Sequence, residues 1–112
     1  MSELQELLEV SDLEKVWEVS TEKPVLLFKQ STTCPISSAG FAQFQAFLRD
    51  NQVAIAPYFV KVRETREVSD KIAEVLDVRH QSPQILLIKN KESVWDASHM
   101  QITVDSITEA VK

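Results

Sequence analysis

The sequence predicts an α/β fold: a four-stranded mixed sheet flanked by helices on both faces. Three observations carry this. First, Val25-Leu26-Leu27-Phe28 and Ile85-Leu86-Leu87-Ile88 are short, continuous apolar runs, as expected of strands covered on both sides. Second, segments with apolar residues three and four apart, the spacing of one helix face, alternate with these runs. Third, the strand-helix-strand segment over 25–62 reads as a βαβ unit whose two strands should be parallel.

Each element can be justified in order. Leu4, Leu7 and Leu8 have helical spacing, as do Leu13, Val16 and Trp17 in "SDLEKVWEVS". The chain is therefore expected to open with one or two short helices, the second started by Ser11 and Glu14 at capping-box spacing. Pro24 punctuates, and "VLLFKQ" is the first strand. Ile36, Gly40, Phe41, Phe44, Phe47 and Leu48 mark an amphipathic helix, and Pro35 suits its first turn, where a missing N–H costs little. "PYFVKV" at 57–62 is the second strand, rich in β-branched and aromatic residues. "REVSDKIAEVLDV" puts Val68, Ile72, Val75 and Leu76 on one helical face. "QILLIK" at 84–89 and "VWDAS" are the last two strands, antiparallel across the turn "NKES". A closing helix has Thr103 as its N-cap, with Ile107, Ala110 and Val111 on one side. Trp17 and Trp95 are expected in the core.

The chain of 112 residues suits one compact domain spanning 1–112. Hydrophobic residues make up 44% and charged residues 26%, the balance of a soluble globular protein. No apolar run reaches the roughly 18 residues of a membrane span, and the acidic N-terminus is unlike a secretory signal. The one cysteine, Cys34, allows no internal disulfide. A cytoplasmic protein, with no membrane partner, is the simple inference. The net charge is -5 and the basic residues are interspersed with acidic ones, which argues against nucleic acid. Arg63 and Arg66 could cluster, but a solvated charged face is the favoured reading. With Gly40 the only glycine, glycine-rich phosphate loops are excluded. The one Cys and two His lack metal-ligand spacing, so no metal site is expected.

Two motifs carry a resemblance. Cys34-Pro35-Ile36-Ser37 lies between the first strand and its helix, and Ser82-Pro83 precedes the third strand. From about Leu13 onward the chain resembles the thioredoxin superfamily, in which the equivalent proline is cis and faces the active cysteine. More closely, "TCPIS" with "SPQ" resembles the monothiol bacilliredoxins of the YtxJ (BrxC) family. That resemblance implies a thioredoxin-like fold and a cytosolic thiol–disulfide oxidoreductase. Its partners would be S-thiolated client proteins, from which it removes bacillithiol or a similar small thiol. The small thiol would be a co-substrate, no bound cofactor is implied, and a monomer is expected. There is one departure from thioredoxin itself. Ser37 replaces the second cysteine of CxxC, and "VLLF" lacks the buried acid.

The residues supply a chemistry of their own. The nucleophile in disulfide exchange is the thiolate, and unpaired N–H groups at a helix start favour an anion. Cys34 is the expected catalytic residue, at or near an N-cap. Ser37 and Thr33 are expected to stabilise its thiolate by hydrogen bonds, with Pro35 fixing the turn. Ser82 and Pro83 are expected to bind substrate, the Ser82 backbone pairing with an extended client segment. His80 is the third expected substrate-binding residue, close enough to tune the thiolate or hold polar groups of the small thiol, although a plain loop histidine reads equally well. His99 has no evident role and is expected at the surface. With Ser37 in the fourth position, a mixed disulfide on Cys34 must await an external thiol. A peroxiredoxin fails on Leu27, where that family has proline. A protease lacks any local signature. A monothiol-glutaredoxin-like iron–sulfur carrier would have Gly-Phe where Pro35-Ile36 stands. The runner-up from another class is a non-catalytic thioredoxin-fold interaction or redox-sensing module.

Overall fold

A computed structural model describes residues 4–51 and 53–112. The order is β1 (Gln5–Glu6), α1 (Asp12–Ser20), β2 (Val25–Gln30), α2 (Pro35–Asp50), β3 (Ala56–Lys61), α3 (Arg66–Leu76), β4 (Gln84–Lys89), β5 (Glu92–Ser98), a 3-10 turn at His99–Gln101 and α4 (Val104–Val111). The sheet has five strands in the order β1-β3-β2-β4-β5, which corrects the four-stranded expectation. β2 is parallel to β3 and antiparallel to β4, and β4 is antiparallel to β5.

The fifth strand comes from the segment read as an N-terminal helix. Gln5 and Glu6 pair in parallel with Tyr58 and Phe59, and Leu7 N–H donates to Phe59 O at 2.8 Å. Leu7 enters the core on one face of the sheet, while Leu4 packs into the core on the other. Residues an odd number apart point to opposite faces of a strand, so this pair of leucines serves two cores, which one helix face cannot do. The Met1–Glu3 part of that expectation lies outside the described residues. The predicted capping box at Ser11 is also absent, because Ser11 is itself helical and makes no capping bond. Asp12, the first helical residue, instead ties down the turn before the helix: its Oδ2 accepts from Leu8 N–H (2.9 Å) and Glu9 N–H (3.0 Å). Those two bonds hold its carboxyl below the usual carboxylate range.

The helices form two layers. α1 and α3 cover one face with Leu13, Val16, Val68, Ile72 and Leu76, which meet Val25, Leu27, Leu86 and Ile88. α2 and α4 cover the other with Phe44, Phe47, Ile107 and Val111, which meet Leu26, Phe28, Ile85 and Leu87. Phe28 stacks on Phe44 at 5.7 Å and meets the edge of Phe41 at 5.2 Å. Trp17 and Trp95 are only partly buried, packed against the two cores. Val75, assigned to the buried face of α3, is exposed. The helix ends at Leu76, and Asp77 turns left-handed at φ 53°. The β4–β5 connection is tighter than "NKES": Asn90 and Lys91 both have positive φ, the signature of a two-residue hairpin turn. Thr103 caps α4, accepting from Ser106 N–H at 3.0 Å.

Candidate active site

Topology gathers the site at one end of the sheet. Gln30, the last residue of β2, is level with Lys61, the last of β3. Lys29 is level with Gln84, the first of β4, and Gln84 with Ser98, the last of β5. Four segments therefore emerge together: the cysteine loop 31–34, the loop 62–65 ahead of α3, the loop 79–83 ahead of β4, and the turn His99–Gln101.

Cys34 is the N-cap of α2, with extended backbone (φ -107°, ψ 122°), and Pro35 is the first helical residue. Cys34 is half-buried, and its side chain makes no capping hydrogen bond to the first turn. Ile36, expected on the apolar face of this helix, is exposed, because it lies in the first turn before the helix reaches the core. Ser37 is fully buried, and its Oγ accepts from Ser31 N–H at 2.8 Å. It clamps the cysteine loop to the helix start, and the hydrogen bond it makes is to backbone nitrogen. Thr33 turns outward to Arg63, whose Nη1 lies 3.5 Å from Thr33 Oγ1. Thr32 donates to Glu64 Oε2 at 3.1 Å. The two loops are thus stitched side by side.

The Ser82–Pro83 peptide bond is cis. Pro83 is buried, and its carbonyl accepts from His99 N–H at 3.2 Å, so exposed His99 anchors the proline loop through its backbone. Ser82 Oγ is the one buried side-chain polar atom without a hydrogen-bond partner among the described residues.

His80 lies on the α1/α3 side of this end. Its Nδ1 is 3.2 Å from Lys29 Nζ and 3.4 Å from Ser69 Oγ. An ammonium only donates, so Nδ1 accepts and the ring proton sits on Nε2. Burial pushes the His80 pKa below its ordinary value, and Lys29 and Arg66 push the same way against Asp70.

Lys29 is the residue that sequence reasoning missed. It is fully buried, and desolvation, partly opposed by Asp70, lowers its pKa to about 8. Gln84, equally buried, bonds Arg79 O and Asp96 Oδ2 beside it. The available signal was one lysine directly after four apolar residues covered on both faces.

Among the described residues no group of three or more His, Cys, Asp or Glu side chains could hold a metal ion. No helix there is long and apolar enough to cross a membrane.

A single thiol on a sheet-to-helix junction, framed by a cis-proline loop, defines a thioredoxin-fold oxidoreductase with one redox-relevant cysteine. Solved structures agree on the fold. Schistosoma mansoni thioredoxin is 23% identical with a TM-score of 0.75, covering 98% of this chain and 96% of its own. Malassezia sympodialis thioredoxin is 14% identical with a TM-score of 0.78, covering 99% and 90%. A protein described as a candidate oxidoreductase with a thioredoxin fold is nearer, at 36% identity and a TM-score of 0.85, over 97% of this chain and 94% of that one. Residues 5–107 match the family of the monothiol bacilliredoxin BrxC. The chain belongs to that family.

Proposed function

We propose that the protein removes bacillithiol, or a closely similar small thiol, from mixed disulfides on client proteins, with Cys34 as nucleophile. The observation that carries this reading is a lone cysteine at the N-cap of α2 with serine, not a second sulfur, one turn on. The Cys34 thiolate attacks the small-thiol sulfur of the mixed disulfide, and the client leaves as its thiolate. Cys34 is then disulfide-bonded to the small thiol. A second small thiol attacks that adduct, releasing the Cys34 thiolate and a symmetric small disulfide. Ser37 and Pro35 hold the loop geometry, and Thr33 ties it to Arg63. Ser82, Pro83 and His80 line the approach for substrate. A reducing compartment such as the cytoplasm supplies the thiols that this cycle consumes.

Intact-mass measurement tests the cycle. Incubated with a client carrying a bacillithiol mixed disulfide, the protein gains one small thiol on Cys34 as the client loses it. Cys34→Ala gains nothing and leaves the client modified. If that variant strips the client at the wild-type rate, Cys34 is not the nucleophile. If the wild type neither gains the thiol nor strips the client, the fold serves as an interaction module instead.

A further inference from the structure

A cleft of about 290 Å³ opens beside the cysteine loop, lined by Val62, Arg63, Arg66, Ser69, Asp70 and His80. It shares a wall with that loop through the Arg63–Thr33 contact. Beneath His80 lies the Lys29 ammonium, with no solvent exposure. A buried charge is ordinarily paired with an opposite one, because desolvation alone costs several kcal/mol. Here the partner is neutral, the His80 ring at 3.2 Å, and no carboxylate is within ion-pair distance among the described residues. Arg63 likewise has no carboxylate partner among them. Arg66 has one, Asp70, at 3.7 Å, but both side chains are largely exposed, and such a pair is worth little.

The charges lining the cleft are therefore two cations, Arg63 and Arg66, against one acid, Asp70, with the buried Lys29 ammonium behind the His80 ring. Glu64, bonded to Thr32 on the cysteine loop, and Glu67 line a neighbouring hollow that shares Arg63 and Arg66 with this cleft but not Ser69 or His80. The protein as a whole carries a net charge of -5, so this local excess runs against the global field.

We infer that this cleft is a carboxylate-binding subsite. It seats the acidic part of a small thiol while that thiol's sulfur is joined to Cys34. His80 Nε2–H and the two guanidinium groups donate to the carboxylate, and the Lys29 ammonium below supplies charge at short range. The subsite adds no bond-making step to the exchange. It selects which mixed disulfide is attacked, and it relies on the exchange reading for its substrate.

Two measurements keep the two ideas separable. In the first, succinate, which has no sulfur, is titrated into the protein while the His80 imidazole resonances are followed by NMR. Saturable shifts are expected, lost in Arg66→Ala and Lys29→Met and weakened by salt. Shifts that are absent, or unchanged in both variants, overturn the subsite whatever the exchange assay gives. In the second, one client peptide is loaded with mercaptosuccinate or with neutral 2-mercaptoethanol, and transfer to Cys34 is timed by mass. Charge-assisted hydrogen bonds of this kind predict a preference of about tenfold for the anionic adduct. The ratio should fall close to one in the Arg63→Ala, Arg66→Ala double variant. Equal wild-type rates overturn the subsite. If neither adduct transfers, the exchange reading has failed, and the succinate titration alone decides the cleft.

Discussion

On the α2/α4 side of the sheet, every side chain that β2 and β4 contribute to the core is apolar: Leu26, Phe28, Ile85 and Leu87. On the α1/α3 side the same strands start apolar, with Val25, Leu27, Leu86 and Ile88. They turn polar only at the end that carries Cys34, with Lys29 and Gln84, both fully buried. One face is built for stability throughout. The other gives up its last layer to a buried ammonium and a buried amide, groups that are costly to desolvate. The difference teaches that apolar packing is given up on one face only, and only at the end of the sheet that carries Cys34.

Breaking the apolar face should give the largest effect. Phe28→Ala removes a ring stacked on Phe44 and edged by Phe41, and such cavities cost about 3–5 kcal/mol. Urea denaturation measures this as a large drop in midpoint. A loss below about 1 kcal/mol would mean that the face collapses around the gap, and the contrast between faces would fail.

The polar layer should answer with the opposite sign. Lys29→Met keeps length and removes a buried charge, so it should stabilise the protein by about 1–3 kcal/mol at neutral pH. The pH dependence gives an independent check. Lys29 falls from an ordinary 10.5 to about 8 in the folded protein. Between those values the unfolded chain holds the extra proton, so stability rises with pH through that window, while below about 8 the full cost is present. The wild type should show that alkaline rise and Lys29→Met should lack it. A variant that is less stable at neutral pH would show the ammonium to be structural.

Ser37 sharpens the comparison on the α2 side, as the buried polar exception close to the cysteine. Ser37→Ala orphans the Ser31 N–H, at a cost of about 1–2 kcal/mol, and loosens the loop. Transfer to Cys34 should slow along with the stability loss. If stability falls and transfer is unchanged, the clamp holds the fold and leaves the chemistry alone. At the small end, Thr103→Ala removes the cap of α4 far from the site. It should cost about 1 kcal/mol and leave transfer untouched.

Much of this was legible in the sequence because the signals were long or chemically narrow. The runs at 25–28 and 85–88 read as doubly covered strands and are so, and the phenylalanine spacing of α2 survived intact as its packed face. Cys34 at a helix start followed from Pro35 together with the apolar spacing after it. What escaped were short elements and choices made by tertiary contacts. Gln5–Glu6 is two residues long, too short for alternation to show, and its leucines imitate helical spacing by serving opposite faces. Ser11 and Glu14 had capping-box spacing, yet Ser11 makes no capping bond, because spacing alone does not fix the backbone angles a cap needs. The contact of Thr33 with Arg63 comes from a loop 30 residues on, which no local pattern announces. Lys29 was visible as a letter, yet its burial depends on α3 and the proline loop closing over it, which no local pattern encodes.

The solitary sulfur of Cys34 has a consequence for timing. A protein with two thiols can finish its work alone, at a rate built into its own structure. Under the proposed exchange this one stops halfway after every encounter, and the wait for release shortens in proportion to the free thiol around it. The share of molecules standing capped at any moment then follows the balance of supply and demand in the surrounding pool. Its occupancy is in that sense a gauge, and a chain built this way reports on its environment each time it repairs a client.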